Sequence, residues 1–213
     1  TVLSEYVDIV MMRTSSHKNL EEFGKHLDIP IINGLSDVSH PCQIMSDILT
    51  YEESNGSIEG KIVSWIGDGN NNMSNSLIEA AGKFNFELRI GCPKKYSPSK
   101  NILKLAKKER VKLTITPKPL EAAIGADCVM TDKWISMNDK VNKVSKKKIL
   151  KPYQVNKKLM SKANSDAIFM HCLPVGRGEE VTNEVIDGKQ SVVWRQALNR
   201  VHAQKSIIMW CLD

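Results

Sequence analysis

The stretch KIVSWIGDGNNNMSNSLIEAAGKF, residues 61–84, decides the fold. KIVSWI is a short apolar run that stops at Gly67, and residues 74–84 read as a helix. A strand therefore feeds a helix across a polar turn. The same alternation runs outward in both directions. Downstream, strands are predicted at 86–91, 113–116, 128–131 and 167–170, and helices at 99–110, 119–124, 152–163 and 191–212. Upstream, strands at 7–12 and 29–33 alternate with helices at 19–27 and 41–51. The last of these is marked by Ile44, Met45, Ile48 and Leu49 at helical spacing. Strands alternating with helices build β-α-β units, so the expectation is an α/β fold with a doubly wound parallel sheet covered on both faces. Asn55-Gly56-Ser57 and Gly60 interrupt the pattern and supply a boundary. Before it lie only two strands and two helices, half of a doubly wound unit; after it lies a nearly complete open sheet.

Composition narrows the function classes. Of 213 residues, 41% are hydrophobic and 25% charged, which excludes a disordered chain. The net charge of +6 suits anionic ligands and is too mild to specify nucleic acid. Five cysteines with no C-x-x-C spacing give neither a zinc ribbon nor a disulfide framework, so reduced thiols in a cytoplasm are expected. No run approaches the apolar length of a transmembrane helix. The opening TVLSEY lacks an initiator Met and the features of a signal peptide, and is expected not to be the natural N-terminus. The Lys-rich run 140–158 reads as a solvated loop leading into a helix, with a phosphate or nucleic-acid patch as the lesser reading.

In an open parallel sheet, ligands bind beyond the carboxyl ends of the strands. Four polar clusters sit at such ends: Arg13 to His17, Gly67 to Asn72, Asp132 to Met137, and His171-Cys172-Leu173-Pro174. Each alone reads as loop chemistry; together they point to one edge. His40-Pro41-Cys42-Gln43 opens a helix, with Pro favoured in the first turn. A helix start beside a cationic residue suits an anion or a polarised carbonyl, and a plain cap is an equal reading. G-D-G-N-N-N lacks the third Gly of a dinucleotide fingerprint, although Glu87 stands about where a ribose-binding acid would. The Asn run suits a zwitterionic amino acid better than a pyrophosphate. His171 and Cys172 are adjacent on a strand and point to opposite faces, which argues against a Cys–His dyad. The five histidines show no metal-binding spacing.

Taken in order, His40-Pro41-Cys42-Gln43, Gly67-Asp68 with Asn71 to Ser76, Asp132-Lys133-Trp134-Ile135-Ser136-Met137, His171-Cys172-Leu173-Pro174 and Asn199-Arg200 resemble the ornithine branch of the aspartate/ornithine carbamoyltransferase superfamily. The H-P-x-Q element is shared with the aspartate branch, and D-x-W-x-S-M with H-C-L-P is specific to the ornithine branch. The resemblance covers essentially the whole chain.

It implies carbamoyl transfer from carbamoyl phosphate to the δ-amine of L-ornithine, giving L-citrulline and phosphate, a step of arginine biosynthesis or of a urea cycle. It also implies two doubly wound domains, a homotrimer when full length, no metal or organic cofactor, no nucleic-acid or membrane partner, and a cytoplasmic location. On this basis residues 1–55 are expected to be part of a carbamoyl-phosphate domain with an interdomain helix. Residues 56–190 are the ornithine-binding domain, and 191–213 a helix returning to the first domain. Arg13, His40, Pro41, Cys42, Gln43 and Arg200 fall on the carbamoyl-phosphate side. Asn72, Asp132, Ser136, Met137, Cys172 and Leu173 fall on the ornithine side. Arg13, His40, Cys172 and Arg200 are the residues expected to act in catalysis. The family's main phosphate loop would lie upstream of Thr1, so the chain as it stands is expected to bind ornithine weakly and turn over little. Asn138, Gly176, Arg195 and Leu198 depart from the family pattern. A nicotinamide-binding oxidoreductase domain and a non-catalytic basic interaction module are the competing readings.

Overall fold

The central strands are almost entirely apolar because both of their faces are covered. In the computed structural model, which describes residues 2–135 and 142–213, β3 (Ile62–Ile66), β6 (Cys128–Thr131) and β7 (Ile168–His171) are buried along nearly their whole length. Period-two alternation divides their side chains between two cores. Val63, Trp65, Cys128, Met130, Ile168 and Met170 join one core, and Ile66, Val129 and Phe169 join the other.

With β4 (Glu87–Gly91) and β5 (Leu113–Thr116), these strands form a parallel sheet ordered β5-β4-β3-β6-β7. The order reverses between β3 and β6, which opens a crevice at their carboxyl ends. A separate two-stranded parallel sheet pairs β1 (Val10–Arg13) with β2 (Ile31–Leu35).

The helices follow as α1 (His17–Gly24), α2 (Pro41–Asn55), α3 (Asn72–Lys83), α4 (Lys100–Lys108) and α5 (Pro119–Ala123). They continue as α6 (Lys143–Leu150), α7 (Lys157–Met160), α8 (Asn183–Ile186) and α9 (Val193–Leu212). The expected α/β class and parallel order hold. Helices α6 and α8 were not anticipated. The helix expected at 152–163 is instead a 3₁₀ turn (Lys151–Tyr153), an extended link and the short α7. Backbone pairing overrides helix propensity there. Val155 donates its N–H to Glu180 O at 2.8 Å, and its own carbonyl accepts from Thr182 N–H at 3.0 Å.

Helix α9 returns to α2. The Ser46 hydroxyl donates to Gln196 O at 3.0 Å, and Asn199 Nδ2 donates to Thr50 Oγ1 at 3.0 Å and Glu53 Oε2 at 2.8 Å. Arg195 grips the Glu53 carboxylate through two bonds of 2.8 Å. Arg195, one of the departures from the family pattern, thus has its own local partner.

The sheet leaves no room for a side chain at Gly91. A Cβ there would lie 3.0 Å from Pro119 Cα and 3.0 Å from Ile66 Cδ1. Gly91→Ala is expected to cost about 1–3 kcal/mol by overpacking. The measurement is the urea midpoint of unfolding, and an unchanged midpoint would contradict the packing described.

Candidate active site

The turn after β3 is built by its own polar residues. Asn71 caps α3, accepting from Ser74 N–H at 2.8 Å, while the Ser74 hydroxyl accepts from Asn71 N–H at 3.2 Å. Asn72 Nδ2 donates to Ser36 O at 2.8 Å, Asn75 Nδ2 to Val38 O at 3.0 Å, and Ser76 Oγ accepts from His40 N–H at 2.8 Å. The asparagine run therefore pins the 36–40 turn, and with it the start of α2, onto the larger sheet.

A cavity of about 740 Å³ opens at the crevice. Arg13, His40, Gln43 and Arg200 line it from the β1, α2 and α9 side; Asn72, Asp132, Cys172 and Leu173 line it from the ends of β3, β6 and β7. These expected site residues, from segments far apart in sequence, share one wall-to-wall space. Pro41 and Cys42 do not line it. Pro41 is exposed at the first position of α2, and Cys42 is buried with its thiol donating to Asn33 O at 3.4 Å. Both sit at the helix start. Ser136 and Met137 lie outside the described residues.

At the far wall, the Cys172 thiol donates to Asp132 Oδ1 at 3.2 Å, and Lys133 N–H donates to the same oxygen at 2.6 Å. Burial pushes the Asp132 carboxyl up, and burial followed by the Asp132 charge holds the Cys172 thiol well above its ordinary range. Cys172 is thus a thiol donor and not an activated nucleophile. Leu173 has left-handed backbone (φ 54), which turns its N–H onto His171 Nδ1 at 2.9 Å. His171 is fully buried, with Nε2 3.3 Å from Glu180 Oε1, while the Cys172 thiol bonds Asp132 and not the imidazole. Ligand-type atoms of Asp132, His171 and Cys172 lie within 4.8 Å of one another, so this trio could hold a cation. In the structure these atoms serve the contacts just described.

At the near wall His40 is buried, and its Nδ1 has no hydrogen-bond partner. Burial, then the charges of Arg200 and Arg13, lower its pKa to about 4, so the imidazole is neutral near pH 7. It can accept or donate one hydrogen bond toward a ligand, beside two guanidinium groups that supply the positive charge.

The Lys-rich run contributes to this site, which the solvated-loop reading missed. Lys143, Val144 and Lys147 line the cavity from α6, with Glu179 beside them. Lys146 is buried, its Nζ 2.6 Å from Asp68 Oδ2 and 5.2 Å from the centroid of the Tyr96 ring. The available signal was Asp68, an acid at the end of an otherwise apolar strand. Glu87 is the first residue of β4, at the opposite end of the sheet from the cavity, and pairs with Arg89 at 2.6 Å. That removes the geometric basis of the dinucleotide reading.

Two expectations follow. Cys172 should alkylate with iodoacetamide at least about tenfold more slowly than a free thiol at pH 8, and Asp132→Asn should speed it. Peptide mass spectrometry reads both, and a fast-reacting wild-type Cys172 would contradict the assignment. His40 binds its proton more weakly folded than unfolded, so its contribution is lost as pH falls from about 6.5 toward 4. That loss amounts to up to about 3 kcal/mol at roughly 1.4 kcal/mol per pKa unit. His40→Gln should flatten that acid limb in urea unfolding, and an unchanged limb would contradict it.

Comparison with known proteins gives one answer. Residues 59–211 match the family model described as aspartate/ornithine carbamoyltransferase, Asp/Orn binding domain, and residues 1–53 match its carbamoyl-P binding domain. The chain is 53% identical over 211 residues to an ornithine carbamoyltransferase of Rhodopseudomonas palustris, covering 99% of this chain and 67% of that protein. It is 50% identical over 212 residues to one of Brucella abortus, covering 100% and 67%. Among solved structures, the ornithine carbamoyltransferase of Pyrococcus furiosus superposes with a TM-score of 0.91 at 43% identity, covering 97% of this chain and 67% of that one. That of Burkholderia thailandensis gives 0.90 at 42%, covering 99% and 68%. The chain spans about two thirds of the length of these relatives. Motif order, sheet topology and these matches agree, and the chain belongs to the aspartate/ornithine carbamoyltransferase family.

Proposed function

We propose that this chain carries the substrate-binding residues for carbamoyl transfer from carbamoyl phosphate to the δ-amine of L-ornithine. The observation that carries the reading is that one cavity is lined on one side by Arg13, His40, Gln43 and Arg200, and on the other by Asn72, Asp132 and Cys172. The first set suits an acyl phosphate with a polarised carbonyl. The second suits an amino-acid zwitterion.

The chemistry follows from those types. The neutral δ-amine attacks the carbamoyl carbon, a C–N bond forms, the bond from carbon to the phosphate oxygen breaks with its electron pair going to phosphate, and the departing phosphate takes up the proton that the new nitrogen loses. Negative charge grows on the carbonyl oxygen and the leaving phosphate, where Arg13 and Arg200 supply fixed positive charge. A neutral His40 beside them hydrogen-bonds the carbonyl without competing for the proton. Gln43 holds the carbamoyl NH₂. Asp132 pairs with the α-ammonium. Asn72 keeps one amide hydrogen for the α-carboxylate while the other is spent on Ser36 O. Ser136 and Met137 complete the ornithine side. Cys172, a protonated thiol, and the Leu173 carbonyl orient the δ-amine, and no covalent intermediate is needed. Holding two small reactants face to face contributes several kcal/mol.

The division into a carbamoyl-phosphate part (1–55), an ornithine-binding part (56–190) and a returning helix (191–213) belongs to the same proposal. The bonds between α2 and α9 support its last element. A homotrimer, a cytoplasmic location and a place in arginine biosynthesis extend the family reading; among the described residues, no helix is long and apolar enough to cross a membrane.

Citrulline formation by the native enzyme carrying these residues tests the reading. Asp132→Ala should raise KM for ornithine at least about 100-fold while leaving KM for carbamoyl phosphate within a few-fold, and Arg200→Ala should do the reverse. Absence of citrulline, or equal effects of both variants on both constants, would contradict it.

A further inference from the structure

The carbamoyl-transfer reading asks Gln43 to accept hydrogen bonds from an NH₂ group, yet a glutamine amide has a donor end and an acceptor end of nearly the same shape. Something must choose between them. One turn along α2 from Gln43 lies Asp47, which is 1% exposed. Gln43 Nε2 donates to Asp47 Oδ1 at 2.8 Å, and Gln196 Nε2, from α9, donates to the same oxygen at 2.7 Å. Burial raises the pKa of the Asp47 carboxyl to about 6, which leaves it ionised at neutral pH; an ionised carboxylate only accepts, so it takes the donor end of each amide. Gln43 is left with its Oε1 buried and without a partner, on a residue that lines the cavity. Gln196 is left with Oε1, which accepts from His171 N–H at 2.9 Å, one residue before Cys172.

We infer that Asp47 is a positioning residue: it fixes the amide of Gln43 with its acceptor end turned to the carbamoyl NH₂, while Gln196, on the same oxygen, keeps its own bond from His171 N–H. Asp47 itself does not line the cavity. It acts through the two glutamines. One Asp47 oxygen thus joins α2 to α9, while β7 is held by a separate bond, His171 N–H to Gln196 Oε1, which does not involve Asp47. Replacing it with Ala frees the Gln43 amide to turn its NH₂ toward the substrate NH₂, donor against donor. Replacing it with Asn keeps an oxygen that can accept from both glutamines.

The inference rests on the carbamoyl-transfer reading, and citrulline kinetics on the native enzyme separate the two. Asp47→Ala should raise KM for carbamoyl phosphate about 30-fold or more with KM for ornithine within about threefold, and Asp47→Asn should recover to within about tenfold of wild type. A merely structural Asp47 would lower stability and activity without that split. Should Asp47→Ala fail to fold, Gln43→Glu provides a second route. Alone it sets two carboxylates against each other; combined with Asp47→Asn it gains a donor for one of its oxygens and should recover at least about tenfold in kcat/KM. A wild type that makes no citrulline overturns the parent reading and this one with it. An active wild type whose Asp47→Ala variant keeps its KM for carbamoyl phosphate, or a double variant without recovery, overturns this inference alone.

Discussion

The pairing of α2 with α9 is the constraint on which the site depends. The Ser46 hydroxyl and the Gln196 carbonyl that join these helices lie 150 residues apart in the chain. Helix α2 brings His40 and Gln43, and α9 brings Arg200. Neither helix belongs to the five-stranded sheet whose strand ends carry Asp132 and Cys172. Their mutual hydrogen bonds, together with the asparagines of α3 that hold the 36–40 turn, set the distance between the wall carrying His40, Gln43 and Arg200 and the wall carrying Asp132 and Cys172. Buried polar contacts of this kind are costly when one partner is missing and specific when all are present.

The electrostatics of the cavity follow from burial acting on different groups in opposite senses. Desolvation lowers the His40 pKa and raises those of Cys172 and Asp132. The result is a neutral imidazole and a protonated thiol, with positive charge left to the arginines and lysines that line the cavity. Such a site favours orientation and charge stabilisation over acid–base or covalent chemistry. That matches a reaction in which a good nucleophile meets an already activated carbonyl.

Much of this was legible in the chain. The KIVSWI run with its following helix gave the α/β class, because a fully buried parallel strand must be apolar and must be followed by a covering helix. The convergence of Arg13, Asn72, Asp132 and Cys172 followed from their places at strand ends, and that of His40 from its place at a helix start. Less was legible where tertiary pairing overrides local pattern. The extended link at Val155 exists because its backbone pairs with the 180–182 segment, and no local propensity encodes that. Lys146 was read as solvated because lysine usually is; its burial needs Asp68, 78 positions away. Of the H-P-C-Q motif, only His40 and Gln43 line the cavity.

The most direct test of the central idea, that both sets of residues grip one reacting pair in one cavity, is a calorimetric titration with a bisubstrate analogue joining a phosphonate to the δ-nitrogen of ornithine. The account predicts one site per chain and an affinity at least about 100-fold above that of ornithine alone. Binding no tighter than ornithine, or two independent sites for the two halves, would contradict it.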